Sequence, residues 1–193
     1  MYDRNISGKT VTFGVSGLLY KSNLLMYDHQ TSSLWSQVKR EAVTGPMTGT
    51  RLTVLPSTVM SWHEWKKRFP ETEVLSPDTG HIRDYDRDPY ENYYKREKGL
   101  FSFFKGGPDE KEKELIAGIT IGGEAKAYPI DLLRQETSLS DRVSGKNITF
   151  TLDKKTGFLI ITDSKNNNID YITTYWFVWK GLYPETRIFR FNK

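Results

Sequence analysis

The chain has 193 residues, of which 27% are charged and 37% hydrophobic, with a formal net charge of +4. That length suits one domain or two small ones of ordinary soluble composition, and the small, dispersed basic excess argues against a nucleic-acid partner. Cysteine is absent, which excludes disulfides, thiolate metal sites and a Cys nucleophile within these residues, and no apolar run reaches the ~18 residues of a membrane span.

In chain order, Thr10–Val15 and Leu18–Tyr27 read as two strands around a Ser16-Gly17 turn. Leu34–Val38, Ala42–Thr44 and Arg51–Leu55 read as short strands cut by Gly45-Pro46 and Thr48-Gly49. Ser61–Phe69 reads as a helix, because Ser61 and Glu64 have the spacing of a capping box and Pro70 stops the run. A strand is expected over Thr72–Ser76. Residues 77–112 form a polar connection rich in Asp and Tyr, with Leu100–Phe104 as anchors. Leu115–Ile121 and Ala125–Ile130 flank Gly122-Gly123 as a hairpin, and Asp131–Gln135 reads as a short helix. Ile148–Leu152 and Phe158–Thr162 flank a turn at Lys154–Gly157. Asn166-Asn167-Asn168 marks a further turn. A last helix at Tyr175–Tyr183, capped by Thr174, and a strand at Arg187–Phe191 end the series.

Self-comparison reveals two ordered matches. Asp3–Phe13 aligns with Asp141–Phe150 after one deletion, and Trp62–Leu75 aligns without gaps to Trp176–Phe189. Gly8 and Gly145 are 137 residues apart, whereas Trp65 and Trp179 are 114 apart. The first copy thus carries 23 additional residues between Asp28 and Trp62. The expected fold is α+β and mainly β: two repeated β-hairpin/helix/strand modules packed as one globular unit, the first with an inserted β segment. The first repeat covers 3–76 with its insertion at about 29–57, the connecting loop is 77–112, and the second repeat is 113–191. The hairpin and helix of Leu115–Gln135 precede the second match but have no counterpart before Asp3. This predicts that the chain is the C-terminal portion of a longer protein; the alternative is a duplication that lost its lead-in.

Several residues invite chemistry. Asp84, Asp86 and Asp88 have the alternate spacing of a calcium loop. Pro89 and Lys95 break the EF-hand pattern, so calcium remains open as a looser site, against solvated surface carboxylates. No other cofactor is encoded by a motif. Gly14-Val15-Ser16-Gly17 approaches a nucleophile loop, but Leu18 holds the place of the last Gly, which favours a tight turn. Of the three histidines, His29 lies beside Asp28 at the start of the insertion, with Trp35 and Gln37 downstream. His63 is on the capped helix, and His81 precedes Tyr85 in the connecting loop. None has metal-pair spacing. Ser16, Asp28, His29, Trp35, Gln37, His81 and Tyr85 are the candidate binding residues, and no catalytic residue is assigned. Whether the chain is an enzyme stays open.

Phe13–Leu19, Met26-Tyr27-Asp28, Ser33–Gln37, Gly45–Thr50, Ser61-Trp62 with Trp65, and Tyr85–Tyr94 together resemble the bacterial and archaeal family catalogued as domain of unknown function 3179. The resemblance spans nearly the whole chain. It implies a longer, often exported protein, with a Trp-His-Glu segment and a Cys-Pro-Leu-Cys-like segment ahead of the stretch matching Tyr2-Asp3-Arg4. On it rests the expectation of an extracytoplasmic ligand- or partner-binding domain without a complete catalytic site. The alternative is an enzyme or metal-handling protein whose Cys and His lie upstream.

Overall fold

The computed structural model describes residues 1–55, 57, 60–95, 112–136, 138–153 and 158–191. It opens with a short ladder of β1 (Asn5–Ile6) and β2 (Lys9–Thr10), closed by Ser7 and Gly8 at φ 52° and 78°. β3 (Phe13–Tyr20) and β4 (Asn23–Asp28) form the next hairpin. Its turn is not at Ser16-Gly17 as expected. The chain reverses at Lys21-Ser22, whose φ values of 50° and 63° are those of a type I′ loop. Ser16-Gly17 falls in a register shift between Val15 and Leu19, a bulge that lets the strand continue. β5 (Leu34–Ser36) and β6 (Glu41–Thr44) complete a sheet of order β3-β4-β5-β6. The strand expected at Arg51–Leu55 is reduced to single bridges, Glu41 with Arg51 and Tyr2 with Val54.

α1 (Trp62–Arg68) is capped by Ser61, whose hydroxyl accepts from the Glu64 N–H at 3.2 Å. No strand follows at Thr72–Ser76. The connection holds one helical turn, α2 (Glu91–Tyr94), while the anchors expected at Leu100–Phe104 and the turn at Lys154–Gly157 lie outside the described residues. β7 (Leu115–Ile121) and β8 (Glu124–Pro129) form the hairpin read at Gly122-Gly123, and α3 (Ile130–Gln135) leaves it. β9 (Ser138–Val143), β10 (Lys146–Asp153) and β11 (Phe158–Asp163) make an antiparallel meander. β12 (Ile172–Tyr175) then joins β7, and α4 (Trp176–Leu182) follows. β13 (Arg187–Ile188) adds in parallel to β8, giving the order β12-β7-β8-β13. α4 starts after Tyr175 rather than Thr174 and has no side-chain cap. The fold is α+β and mainly β.

Alternation along β7 and β8 places the hairpin between two apolar layers. Ile116 and Ala127 join Trp176, Phe177, Val178 and Trp179 on one side. Ala117, Ile119, Ile121 and Tyr128 join Phe150, Leu152, Leu159 and Ile161 on the other. A third cluster gathers Ile6, Val11, Trp35, Ala42 and Leu52, so the insertion supplies the core of the first half. It also reaches the second half: Val38 packs with the α4 cluster, and Arg40 Nη2 donates to Thr120 Oγ1 at 2.6 Å.

Local geometry recurs at the two compared stretches. Ser144 and Gly145 turn at φ 47° and 77°, as Ser7 and Gly8 do, and Val143 faces Lys146 as Ile6 faces Lys9. Counted from the glycines, Asn5 stands in the place of Arg142, without a deletion. Both helices end alike, at φ/ψ −127°/73° for Phe69 and −126°/77° for Tyr183. The Trp65 indole donates to Thr72 Oγ1 at 3.0 Å, and that of Trp179 to Thr186 Oγ1 at 2.9 Å.

Between β8 and β9, Asp141 Oδ2 accepts from Lys126 Nζ and from Tyr128 Oη, each at 2.6 Å. Burial works against the Asp141 charge, but these donors and the Arg142 N–H outweigh it and hold the carboxyl below its usual range. Burial, and then the hydrogen bond to Asp141, push the Tyr128 hydroxyl far up. Tyr128→Phe should therefore cost about 1.5–3 kcal/mol near neutral pH by thermal unfolding, the range for a bond to a charged acceptor. The penalty should shrink in acid, as Asp141 protonates.

Candidate ligand-binding groove

The sequence-chosen residues fall into separate places. Asp28 and Trp35 meet, but in the interior. Asp28 ends β4, and its Oδ2 accepts from Trp35 Nε1 at 2.8 Å and from Thr31 Oγ1 at 2.8 Å, while Oδ1 accepts from the Thr31 N–H at 2.5 Å. Both residues are buried. Burial opposes the charge on Asp28; the donors from Trp35, Thr31 and the Ser33 backbone overcome it and leave the carboxyl below the ordinary range. Thr31 Oγ1 in turn lies 2.6 Å from Ser33 Oγ, which accepts from the Met47 N–H at 3.0 Å. Gly45, at φ 93°, passes so close to Ser33 that a Cβ would lie 2.7 Å from its Cα. Asp28 is thus a clamp that ties the start of the insertion to the Gly45–Met47 turn.

Ser16 Oγ donates to the Leu25 carbonyl at 2.7 Å and accepts from the Leu18 N–H at 3.1 Å, so its hydroxyl stabilises the bulge. His29 is exposed, its ring 4.9 Å from that of Tyr27. Gln37 offers its backbone carbonyl to Tyr2 Oη at 2.5 Å. His81 is exposed, and Tyr85 Oη lies 2.8 Å from Thr79 Oγ1. Asp84 and Asp88 turn back on their own backbone, accepting from the N–H groups of Asp86 at 3.2 Å and Tyr90 at 2.8 Å. Among the described residues no three His, Asp or Glu side chains gather to hold a metal. No helix among them is long and apolar enough to cross a membrane.

Sequence reading missed a concave site altogether. A groove of about 230 Å³ opens between the end of the insertion and β11. Val54, Leu55 and Ser57 form one wall; Phe158–Ile161 and Asn168–Tyr171 form the other. Its lining is mostly apolar, while Ser57, Asn168 and Asp170 are exposed. The second wall is shaped by Asp163, whose Oδ1 accepts from the N–H groups of Lys165 at 2.8 Å and Asn167 at 2.9 Å, with Asn167 Nδ2 donating to Oδ2 at 3.0 Å. Those bonds, led by the Asn167 amide, hold Asp163 below the usual carboxylate range. Tyr171 Oη donates to the Leu159 carbonyl at 3.2 Å, and burial raises its hydroxyl. Arg68 of α1 lies 4.8 Å from the centre of the Phe158 ring, a cation–π contact that braces the rim. The walls are about a hundred residues apart in sequence, so no local spacing could have joined them; the only hint was two apolar residues at an insertion's end.

No curated protein and no solved structure matches this chain. Residues 1–186 match the family described as "Protein of unknown function (DUF3179)", and the chain belongs to that family.

Proposed function

We propose that this domain binds a ligand or partner protein by lodging one apolar group, the size of an aromatic ring or a branched aliphatic side chain, in the groove between Leu55 and Tyr171. The observation that carries this reading is the lining of that groove: mostly apolar side chains with a few polar groups among them, the usual make-up of a recognition site. At about 230 Å³ it is smaller than most small-molecule pockets, which favours a single side chain or ring over a cofactor. The exposed carboxylate of Asp170 at the rim favours a cationic or hydrogen-bonding end on the guest. An extracytoplasmic setting rests on the family resemblance, and fractionation of the producing cell tests it.

Phenethylamine supplies a ring and a cation, and serves as a probe. In a ¹⁵N-edited NMR titration it should shift the amides of Leu55, Ile160, Asp170 and Tyr171 saturably, with a Kd on the order of 1 mM for so small a molecule. Ile160→Lys, at an exposed position of the groove wall, should abolish those shifts without unfolding the chain. Shifts that never saturate, or that persist in Ile160→Lys, would count against the groove.

A further inference from the structure

α1 and α4 share a local geometry but not an environment. Trp176 and Trp179 are 2% and 1% exposed, whereas Trp62 and Trp65, 114 residues earlier, are 51% and 38% exposed. Phe69, Val74 and Leu75 are exposed beside them. The second difference lies on the hairpin side. Leu152 is 5% exposed; Val15, 137 residues earlier, is 72% exposed. The β7–β8 hairpin packs against both sets of covered residues in the second half. The β7–β8 hairpin presents Ile116 and Ala127 to α4 and Ile119 and Tyr128 to the Leu152 layer, and Ile130 and Leu133 of α3 close that layer. Contact with α4 is tight enough to require Gly118, where a Cβ would lie 2.5 Å from the Trp179 ring. Thr186 Oγ1, which accepts from the indole, donates onward to the Ala125 carbonyl at 3.0 Å. Thr72 receives the Trp65 indole in the same way. β13 exists because Arg187 and Ile188 pair with Lys126 and Ala127 of β8. Glu73 and Val74, the residues 114 earlier, have the same local lead-in and form no strand.

We propose that Trp62, Trp65 and Val74 form the docking surface for a β-hairpin and helix built like Leu115–Gln135 and carried on the same polypeptide ahead of residue 1, with the opposite side of that hairpin covering Val15. The uncovered side chains, with covered counterparts 114 and 137 residues later, call for this segment. The docking strand carries a glycine against Trp65, and a carbonyl of its partner strand accepts from Thr72 Oγ1. Its second strand pairs in parallel with Glu73 and Val74, extending the chain there as β8 does at Arg187 and Ile188.

The direct experiment fuses a second copy of residues 113–137 to Met1, since the 137-residue offset makes that junction equivalent to the native one at residue 138. Of the five tryptophans, Trp62 and Trp65 are the exposed ones, so acrylamide should reach about two-fifths of the fluorescence in the chain as it stands. In the extended chain that fraction should fall towards zero and the unfolding midpoint should rise. Gly118→Val placed only in the added copy should restore quenching, because the branched side chain cannot approach the indole. An unchanged accessible fraction overturns the proposal. So does a dimer in sedimentation equilibrium that Trp65→Glu dissociates, which would make a second copy the occupant. A reading frame ahead of Met1 that encodes no apolar, glycine-containing hairpin overturns the source.

Discussion

Trp179→Ala should destabilise the chain by about 3–5 kcal/mol, the usual range for emptying a large buried aromatic site. The same change at Trp65, which makes an equivalent hydrogen bond from an equivalent helix, should cost only about 1 kcal/mol. Hydrogen bonding cannot separate the two, since the indole–threonine distances differ by only 0.1 Å. Burial separates them: Trp179 is enclosed by the hairpin and packs on Tyr183 at 4.4 Å, while Trp65 packs on Phe69 at 4.6 Å and is 38% exposed. Truncating Trp179 also strands Thr186 Oγ1 in the interior with one bond fewer. Urea unfolding of both variants measures the difference; equal losses would mean that α1 is as firmly packed as α4. Gly118→Val should approach the cost of Trp179→Ala from the opposite direction, by overfilling the same contact.

The second large effect lies at Asp28. Asp28→Ala removes the acceptor for the Trp35 indole, the Thr31 N–H and the Thr31 hydroxyl together. An unsatisfied buried donor costs about 1–3 kcal/mol, and these share one loop, so a combined loss of about 3–5 kcal/mol is expected. The carboxyl also sets an acid limb. Its folded pKa is lowered, so its stabilisation is complete above the unfolded value near 4 and is lost as pH falls through the folded value. Asp141 is shifted the same way and adds to the same limb. Asp28→Asn should flatten that limb while keeping the side chain's volume, an outcome read from unfolding midpoints between neutral pH and pH 3. A limb unaltered in Asp28→Asn would assign it to other carboxylates.

The hairpin at Gly122-Gly123 was legible because apolar alternation and turn residues agree there, and the strands β10 and β11 were legible from their apolar alternation. The β3–β4 turn was misplaced because Lys21 and Ser22, neither a glycine, reverse the chain at positive φ, while the positive φ of Gly17 serves the bulge instead. Thr72–Ser76 has strand composition but no neighbouring strand among the described residues, and a strand of this length exists only through its partner, as β13 does through β8. Asp28 and Trp35 were both among the candidate binding residues, and the structure joins them in the interior; residue type alone could not tell an open site from a closed clamp. The groove went unseen since its walls meet only in three dimensions.

The inserted segment has a bearing on how the molecule comes apart. Trp35, Ala42 and Leu52 are the centre of the first core, Val38 is set into the α4 cluster, and Arg40 is bonded to β7. A surface excursion would be expendable; this one is a tie rod. Trimming it should not yield a leaner domain, and calorimetry of the intact chain should record a single melting event in which neither half outlives the other.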